Sequence, residues 1–157
     1  MKKSLTLLSL LALTPMALAD NHEEAEEGCM ASPSCVMQVN AWEALGDERY
    51  EDAVAVTEEC TEQFGDYARE THASMSGPVQ AKNELEYWTQ YGVLTDVAAC
   101  HFIRAEALMK LDRSDEALVD YKVLTEELQY SQLWDPRGWF WKPADAAEER
   151  IAEIEGG

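Results

Sequence analysis

The stretch AWEALGDERYEDA, residues 41–53, decides the fold class, because a helical pattern stops at Gly46-Asp47 and resumes almost at once. The stretch RAEALMKLDRSDEA, residues 104–117, repeats this arrangement around Arg113-Ser114. In each stretch only a few residues separate one helical pattern from the next. A link this short makes the two helices run antiparallel as a hairpin. The sequence therefore predicts an all-α domain that contains two helical hairpins.

The apolar residues of the first hairpin recur at the spacing of a buried helix face. We predict its helices over residues 33–46 and 50–64, with Ser32 as the N-cap of the first. A proline follows this cap, and proline favours the first position of a helix. Gly65 is expected to end the second helix.

The second hairpin and the C-terminal segment follow the same pattern. Thr95 is expected to cap a helix that continues to residue 111, and a second helix follows over residues 115–128. A final amphipathic helix is predicted over residues 143–154, with Pro143 as its first residue. This last helix is expected to cover the open end of the helical core.

Superposition of the two hairpins at an offset of 64 residues aligns small residues with small ones and most large apolar residues with each other. The aligned pairs are Ala41 with Ala105, Ala53 with Ala117, Val54 with Leu118, Thr57 with Tyr121, Cys60 with Leu124, and Phe64 with Leu128. With a small residue midway along the first helix and an acidic-Ala pair after the turn, the chain resembles tetratricopeptide repeats (TPR). The resemblance implies antiparallel hairpins stacked in a right-handed superhelix, closed by a C-terminal capping helix.

The chain departs from the TPR pattern at several points. Thr57 stands where the family has a large residue, and the turn of the first hairpin is one residue away from the usual glycine position. The offset of 64 is close to twice the 34-residue repeat length. Residues 66–91 could therefore hold a degenerate repeat, with helices near 66–76 and 79–91, or an irregular connection. Both interpretations stay open at this point.

The resemblance to TPR proteins also implies a function, a non-catalytic module that binds a peptide or protein partner in a concave groove. In this family the first helix of each hairpin lines the groove. The positions that match are Asn40 and Glu43 in the first hairpin and His101 and Arg104 in the second.

The first nineteen residues have the three parts of a secretory signal peptide. Lys2 and Lys3 precede a short apolar run, and Ala17-Leu18-Ala19 forms a small-residue cleavage site before Asp20. The run is too short to span a bilayer. We predict a bacterial signal peptide over residues 1–19, a flexible acidic tail over residues 20–31 and the helical domain over residues 32–157. The mature protein is then expected to be soluble and periplasmic, with full secretion as the alternative.

The chain is strongly acidic, with 31 Asp plus Glu against 12 Lys plus Arg and a formal net charge of -19. Nucleic-acid binding by phosphate neutralisation needs clusters of basic residues, so this class is excluded. Adsorption to anionic membranes is disfavoured for the same reason. Two interpretations of the acidic charge stay open. It indicates either a well-solvated surface or a surface that attracts a basic partner.

All four cysteines lie beyond the predicted signal peptide, and an even number of cysteines in an oxidising compartment indicates disulfides. We predict that Cys29 pairs with Cys35 and that Cys60 pairs with Cys100. An alternative is a thiol-disulfide exchange protein that uses Cys60 and Cys100, although the sequence has no Cys-x-x-Cys motif.

A cluster of aromatic residues near the C-terminus includes Trp134, Trp139 and Trp141. These rings could pack under the last helix. If they are exposed, they could instead stack on a glycan or a small ligand, which is the alternative to the peptide-binding function.

Catalytic and metal-binding motifs are missing from the sequence. It contains no nucleophile elbow, no glycine-rich phosphate loop and no pair of histidines at helical zinc-site spacing. We therefore predict no enzymatic activity, no metal and no cofactor.

Overall fold

The computed structural model describes residues 32–78 and 84–156. This part of the chain forms five helices and a two-stranded β-hairpin. In chain order these are α1 (Pro33–Gly46), α2 (Tyr50–Ala73), α3 (Glu84–Lys110), α4 (Ser114–Glu126), β1 (Leu133–Asp135), β2 (Trp139–Trp141) and α5 (Pro143–Gly156). The predicted helical fold is thus confirmed, with a small β-hairpin as an addition. The predicted signal peptide and acidic tail lie outside the described residues.

The turns of the two predicted hairpins have the same backbone geometry, 64 residues apart. Glu48 in the first turn and Asp112 in the second both adopt left-handed backbone angles, with φ of 60° and 58°. The next residue in each turn is an arginine, whose N–H donates to the carbonyl five residues earlier, at 2.8 Å from Arg49 to Ala44 and 2.9 Å from Arg113 to Leu108. The two antiparallel hairpins, α1–α2 and α3–α4, are therefore built on a repeated turn.

Five of the six residue pairs aligned at this offset share the same degree of burial, whereas Phe64 is partly buried and its counterpart Leu128 is buried. Ala41, Ala53 and their counterparts Ala105 and Ala117 are all fully buried. Thr57, which replaces a large residue of the TPR pattern, is also fully buried, and its hydroxyl donates to the Ala53 carbonyl at 2.6 Å. This hydrogen bond within the helix satisfies the buried polar group.

Helix α2 does not end at Gly65, as the sequence had predicted, but continues to Ala73. Gly65 itself is buried, and Ala68 and His72 extend the buried face of the helix beyond it at helical spacing. A glycine inside a helix costs only about 1 kcal/mol relative to alanine. The tertiary packing of the extra turns outweighs this cost.

Helix α3 likewise begins before the predicted cap. Thr95 lies inside the helix and is 1% exposed, and the chain is helical from Glu84 onward with a kink at Tyr91 (φ -130°, ψ 16°). Residues 66–73 and 84–91 are therefore helical, as the degenerate-repeat interpretation predicted, but residues 66–73 continue α2 without a break and residues 84–91 join the rest of α3 at the kink. Residues 79–83, where the predicted helix over 79–91 would begin, lie outside the described residues.

Helix α3 is the central element of the fold. It packs against α1, α2, α4, α5 and strand β1.

The final helix α5 confirms the prediction for residues 143–154, and it packs mainly against α4, with Ala144 and Ala147 buried. Its partly buried Ile151 and Ile154 contact the apolar core, whose buried residues lie mostly on α2, α3 and α4.

The N-cap predicted at Ser32 lies at the start of α1, but its side chain makes no capping hydrogen bond and contacts Ser34 instead.

No helix within residues 32–78 and 84–156 combines the length and apolar character that a bilayer-spanning segment requires.

Candidate functional site

The aromatic segment near the C-terminus folds into an antiparallel hairpin that packs against the central helix. Strand β1 pairs with β2 in the register Leu133 to Trp141, and Gly138 in the turn adopts a positive φ of 104°. The Phe140 ring lies 4.9 Å from the ring of Tyr87, between centroids, and Trp141 meets Phe102 edge-on at 5.2 Å. These ring contacts fix the hairpin against α3.

Tyr87 forms a second link between the helix and the segment that leads into the hairpin. Its side chain is 1% exposed, and its hydroxyl oxygen accepts a hydrogen bond from the Gln132 N–H at 2.8 Å. Burial raises the pKa of this phenol above its ordinary value, so the group stays neutral at physiological pH.

Helices α1 and α3 and the β-hairpin enclose a pocket of about 480 Å³. Four of the five tryptophans in the chain line it. The lining residues are Gln38, Trp42, Trp88, Thr95, Ala99, Leu133, Trp134, Asp135, Pro136 and Trp141. A concave, mostly aromatic cavity with a few polar groups is the usual form of a small-molecule site.

Among the described residues, the polar side chains that line this tryptophan pocket, apart from the indoles, are those of Gln38, Thr95 and Asp135. Thr95 Oγ1 is buried and makes no hydrogen bond of good geometry to any described residue, although the Tyr87 hydroxyl lies nearby. The Asp135 carboxylate accepts hydrogen bonds from the Arg137 guanidinium, at 2.9 Å to each of its oxygens. These bonds lower the pKa of Asp135, which is therefore ionised at neutral pH.

The structure separates the three tryptophans predicted from the aromatic segment. Trp134 and Trp141 line the tryptophan pocket, whereas Trp139 is 45% exposed and does not line it. The Arg137 guanidinium lies over the Trp139 ring, 4.4 Å from the centroid, as a cation–π contact.

The four residues predicted for a peptide groove differ in their surroundings. Asn40 and Glu43 are exposed on α1, while His101 is 3% exposed. Arg104 is partly buried and lines a smaller cleft of about 280 Å³, which residues of α2 and α4 also line. Asn40 and Glu43 thus lie on the surface, whereas His101 and Arg104 make contacts inside the protein.

His101 and Arg104 share one buried carboxylate, that of Asp120 on α4. His101 Nδ1 lies 2.7 Å from Asp120 Oδ1, and since a carboxylate only accepts hydrogen bonds, this nitrogen carries the proton. The Arg104 guanidinium donates to both Asp120 oxygens and, at 2.9 Å, to the Thr61 hydroxyl on α2. Burial alone raises the pKa of Asp120, but the hydrogen bonds from Arg104 and His101 outweigh it and hold this pKa below its ordinary value. The network ties α3 to α4 and α2.

The cysteines differ in part from the predicted disulfides. Cys60 and Cys100 are buried free thiols, so the predicted bond between them is not present, but their sulfur atoms lie 2.6 Å apart. The thiol contact and burial raise the pKa of Cys100 well above its ordinary value, which keeps it protonated and unreactive. Cys35 is disulfide-bonded. Cys29, its predicted partner, lies outside the described residues.

A buried carboxyl group lies one helical turn before Cys100. Asp96 is 1% exposed, and its Oδ2 accepts a hydrogen bond from the Ser34 hydroxyl at 2.6 Å, while Oδ1 has no partner among the described residues. Burial raises the pKa of Asp96 to about 7, against the smaller opposing effect of the Ser34 hydrogen bond. This group joins the first turn of α1 to the central helix.

Residues 32–78 and 84–156 contain no group of three or more His, Cys, Asp or Glu side chains that could hold a metal ion.

Comparison of the chain with protein-family models, with curated proteins and with solved structures finds no match.

Sequence reasoning identified part of the tryptophan pocket and missed the rest. Trp134 and Trp141 were found because they belong to a local aromatic cluster. Trp42 and Trp88 lie on two different helices, and at sequence level each is an ordinary large residue in a helical pattern. Only the high number of tryptophans in the chain, five against three phenylalanines, could have drawn attention to them.

Proposed function

We propose that this protein is a non-catalytic binding protein whose ligand is a small organic molecule held in the tryptophan pocket. The observation that carries the proposal is the convergence of Trp42, Trp88, Trp134 and Trp141 from three separate parts of the chain on one cavity of about 480 Å³. Each indole offers a large, rigid surface at a small entropic cost.

The chemistry of the described residues favours binding over catalysis. The lining residues include one carboxylate and no histidine, cysteine or lysine that could act as a nucleophile or transfer a proton. The buried thiols and the His101–Asp120 pair are not among them. A glycan remains a ligand class to test, since sugar rings also stack on indoles.

A matched pair of variants tests the proposal. A panel of soluble cations, neutral compounds and oligosaccharides is titrated into the protein while the indole N–H signals are followed by NMR. We expect at least one compound to shift these signals, with an affinity that falls by about tenfold or more in Trp42→Ala, because one aromatic contact is worth on the order of 1–2 kcal/mol.

Trp139→Ala is the control, since Trp139 is exposed to a similar extent as Trp42 (45% against 38%) but lies outside the pocket. The proposal is wrong if no compound binds, or if the two variants weaken binding equally.

A second candidate function is the recognition of a peptide by a TPR-like arrangement. The repeated turn at the 64-residue offset supports kinship with TPR repeats, and hence a stacked right-handed superhelix. Helix α1 exposes Val39 and Trp42, one turn apart, beside the predicted groove residues Asn40 and Glu43. A peptide on this face would cover the rim of the tryptophan pocket, so the two functions share a surface.

We also propose that the protein is exported to the periplasm and that Cys29 is the partner of the disulfide-bonded Cys35. Mass spectrometry of the exported protein under non-reducing conditions is expected to find an N-terminus at Asp20, a peptide pair linked through Cys29 and Cys35, and free thiols at Cys60 and Cys100. An intact Met1 would contradict export, and another partner for Cys35 would contradict the pairing.

A further inference from the structure

We propose that the ligand of the tryptophan pocket is an organic cation of the quaternary ammonium class. This inference rests on the proposed small-ligand function and names the chemistry that the pocket selects.

The tryptophan rings provide the first argument. The face of an indole ring carries the negative part of its quadrupole and attracts a cation within about 6 Å, most strongly among the aromatic side chains. Four indoles around one cavity can surround a rounded cation on several sides. The same hairpin already shows this preference, because the Arg137 guanidinium lies over Trp139 at 4.4 Å, outside the pocket.

The charges of the pocket provide the second argument. The described residues that line it include no Lys, Arg or His, and Asp135 is the only ionised group among them. The whole chain carries a formal charge of -19, which raises the local concentration of cations and repels anions. An anionic ligand would therefore be repelled in solution, and it would meet no cationic side chain among the described lining residues.

The scarcity of polar atoms separates a quaternary ammonium from a primary amine and from a sugar. A primary ammonium brings three N–H donors, and a sugar brings several hydroxyls, all of which need partners once they leave water. Among the described lining residues, only Gln38, Thr95 and Asp135 have polar side chains other than the indoles, and both Asp135 oxygens already accept bonds from Arg137. A quaternary ammonium has no N–H to satisfy, so its methyl groups can contact the indoles directly.

The test compares two soluble probes of the same shape, acetylcholine and its uncharged carbon isostere 3,3-dimethylbutyl acetate, at low ionic strength. We expect acetylcholine to bind about tenfold or more tightly than the isostere, which corresponds to the gain expected from desolvated cation–π contacts. Trp42→Ala should weaken acetylcholine binding and Trp139→Ala should not. Asp135→Asn should weaken the binding of acetylcholine and leave that of the isostere unchanged, because only the cation interacts with the carboxylate.

The outcomes separate this inference from the proposed function on which it rests. If the isostere or an oligosaccharide binds in the pocket as tightly as acetylcholine, the small-ligand function stands and the cation inference is wrong. If neither probe nor any compound of the earlier panel shifts the indole signals, both are wrong.

Discussion

Replacement of Asp120 by alanine is expected to lower the free energy of unfolding by about 3–5 kcal/mol, the cost of breaking a buried ion pair by removing one partner. Asp120 is 3% exposed, and its carboxylate is the shared acceptor for His101 and Arg104. Without it, the partly buried Arg104 guanidinium has no hydrogen-bonded carboxylate among the described residues and keeps only the electrostatic attraction of Glu58. Urea unfolding followed by circular dichroism measures the change.

Two further variants make this prediction specific to the network. Asp115→Ala removes an exposed carboxylate from the same helix and should cost less than about 1 kcal/mol. Asp120→Asn keeps the shape and some hydrogen bonds but loses the charge, so its effect should lie between the two. A loss below about 1 kcal/mol in Asp120→Ala would show that the network does not hold α3, α4 and α2 together.

Asp96 is expected to make the protein less stable as the pH rises from about 4 to above 7. Its pKa is about 7 in the folded protein, whereas the ordinary value of 3.8 applies to the unfolded chain. Between these values the folded state binds one proton more than the unfolded state, so the free energy of unfolding falls with increasing pH. The contribution of this group is complete below about pH 4 and lost above about pH 7, and it amounts to about 4 kcal/mol.

The Asp96→Asn variant isolates this effect from the other acidic residues of the chain. Asparagine has the same shape, can still accept a hydrogen bond from Ser34 and does not titrate in this range. We expect the variant to be more stable than the wild type at about pH 8 by a few kcal/mol, and the difference to vanish near pH 4. Urea titrations of both proteins across this range provide the measurement, with the exposed Asp115→Asn as control. A stability difference that does not change with pH would refute the burial of an ionisable Asp96.

The helical hairpins could be predicted from sequence because their signals are local. A turn such as Gly46 to Arg49, with a helical apolar pattern on each side, specifies two antiparallel helices whatever surrounds them. The second hairpin, predicted from the turn at Arg113-Ser114, is present, and its turn has the same backbone angles as the first. The predicted C-terminal end of α2 and the predicted start of α3 were wrong because Gly65 and Thr95 have local preferences that burial overrides.

The roles of charged residues were harder to predict than their positions. His101 and Arg104 do lie on the first helix of the second hairpin, as the TPR resemblance implied. Their side chains bind Asp120, which stands on the next helix and looks at sequence level like one acidic residue among 31. Nothing local marks which carboxylate will be buried, since this depends on the packing angle and rotation of two helices.

The sequence by itself determined the acidic charge, the helical hairpins with their repeated turn, and the last helix. Each of these follows from composition or from periodicity within a few turns of chain, which act before any tertiary contact forms. Only the tertiary structure decided the tryptophan pocket, the Asp120 network and the burial of Asp96. They bring together side chains that are far apart in the chain. Arg104 and Asp120 are 16 residues apart, and Ser34 and Asp96 are 62 residues apart. Such groups meet only when the helices pack, because burial and mutual orientation are properties of the whole core.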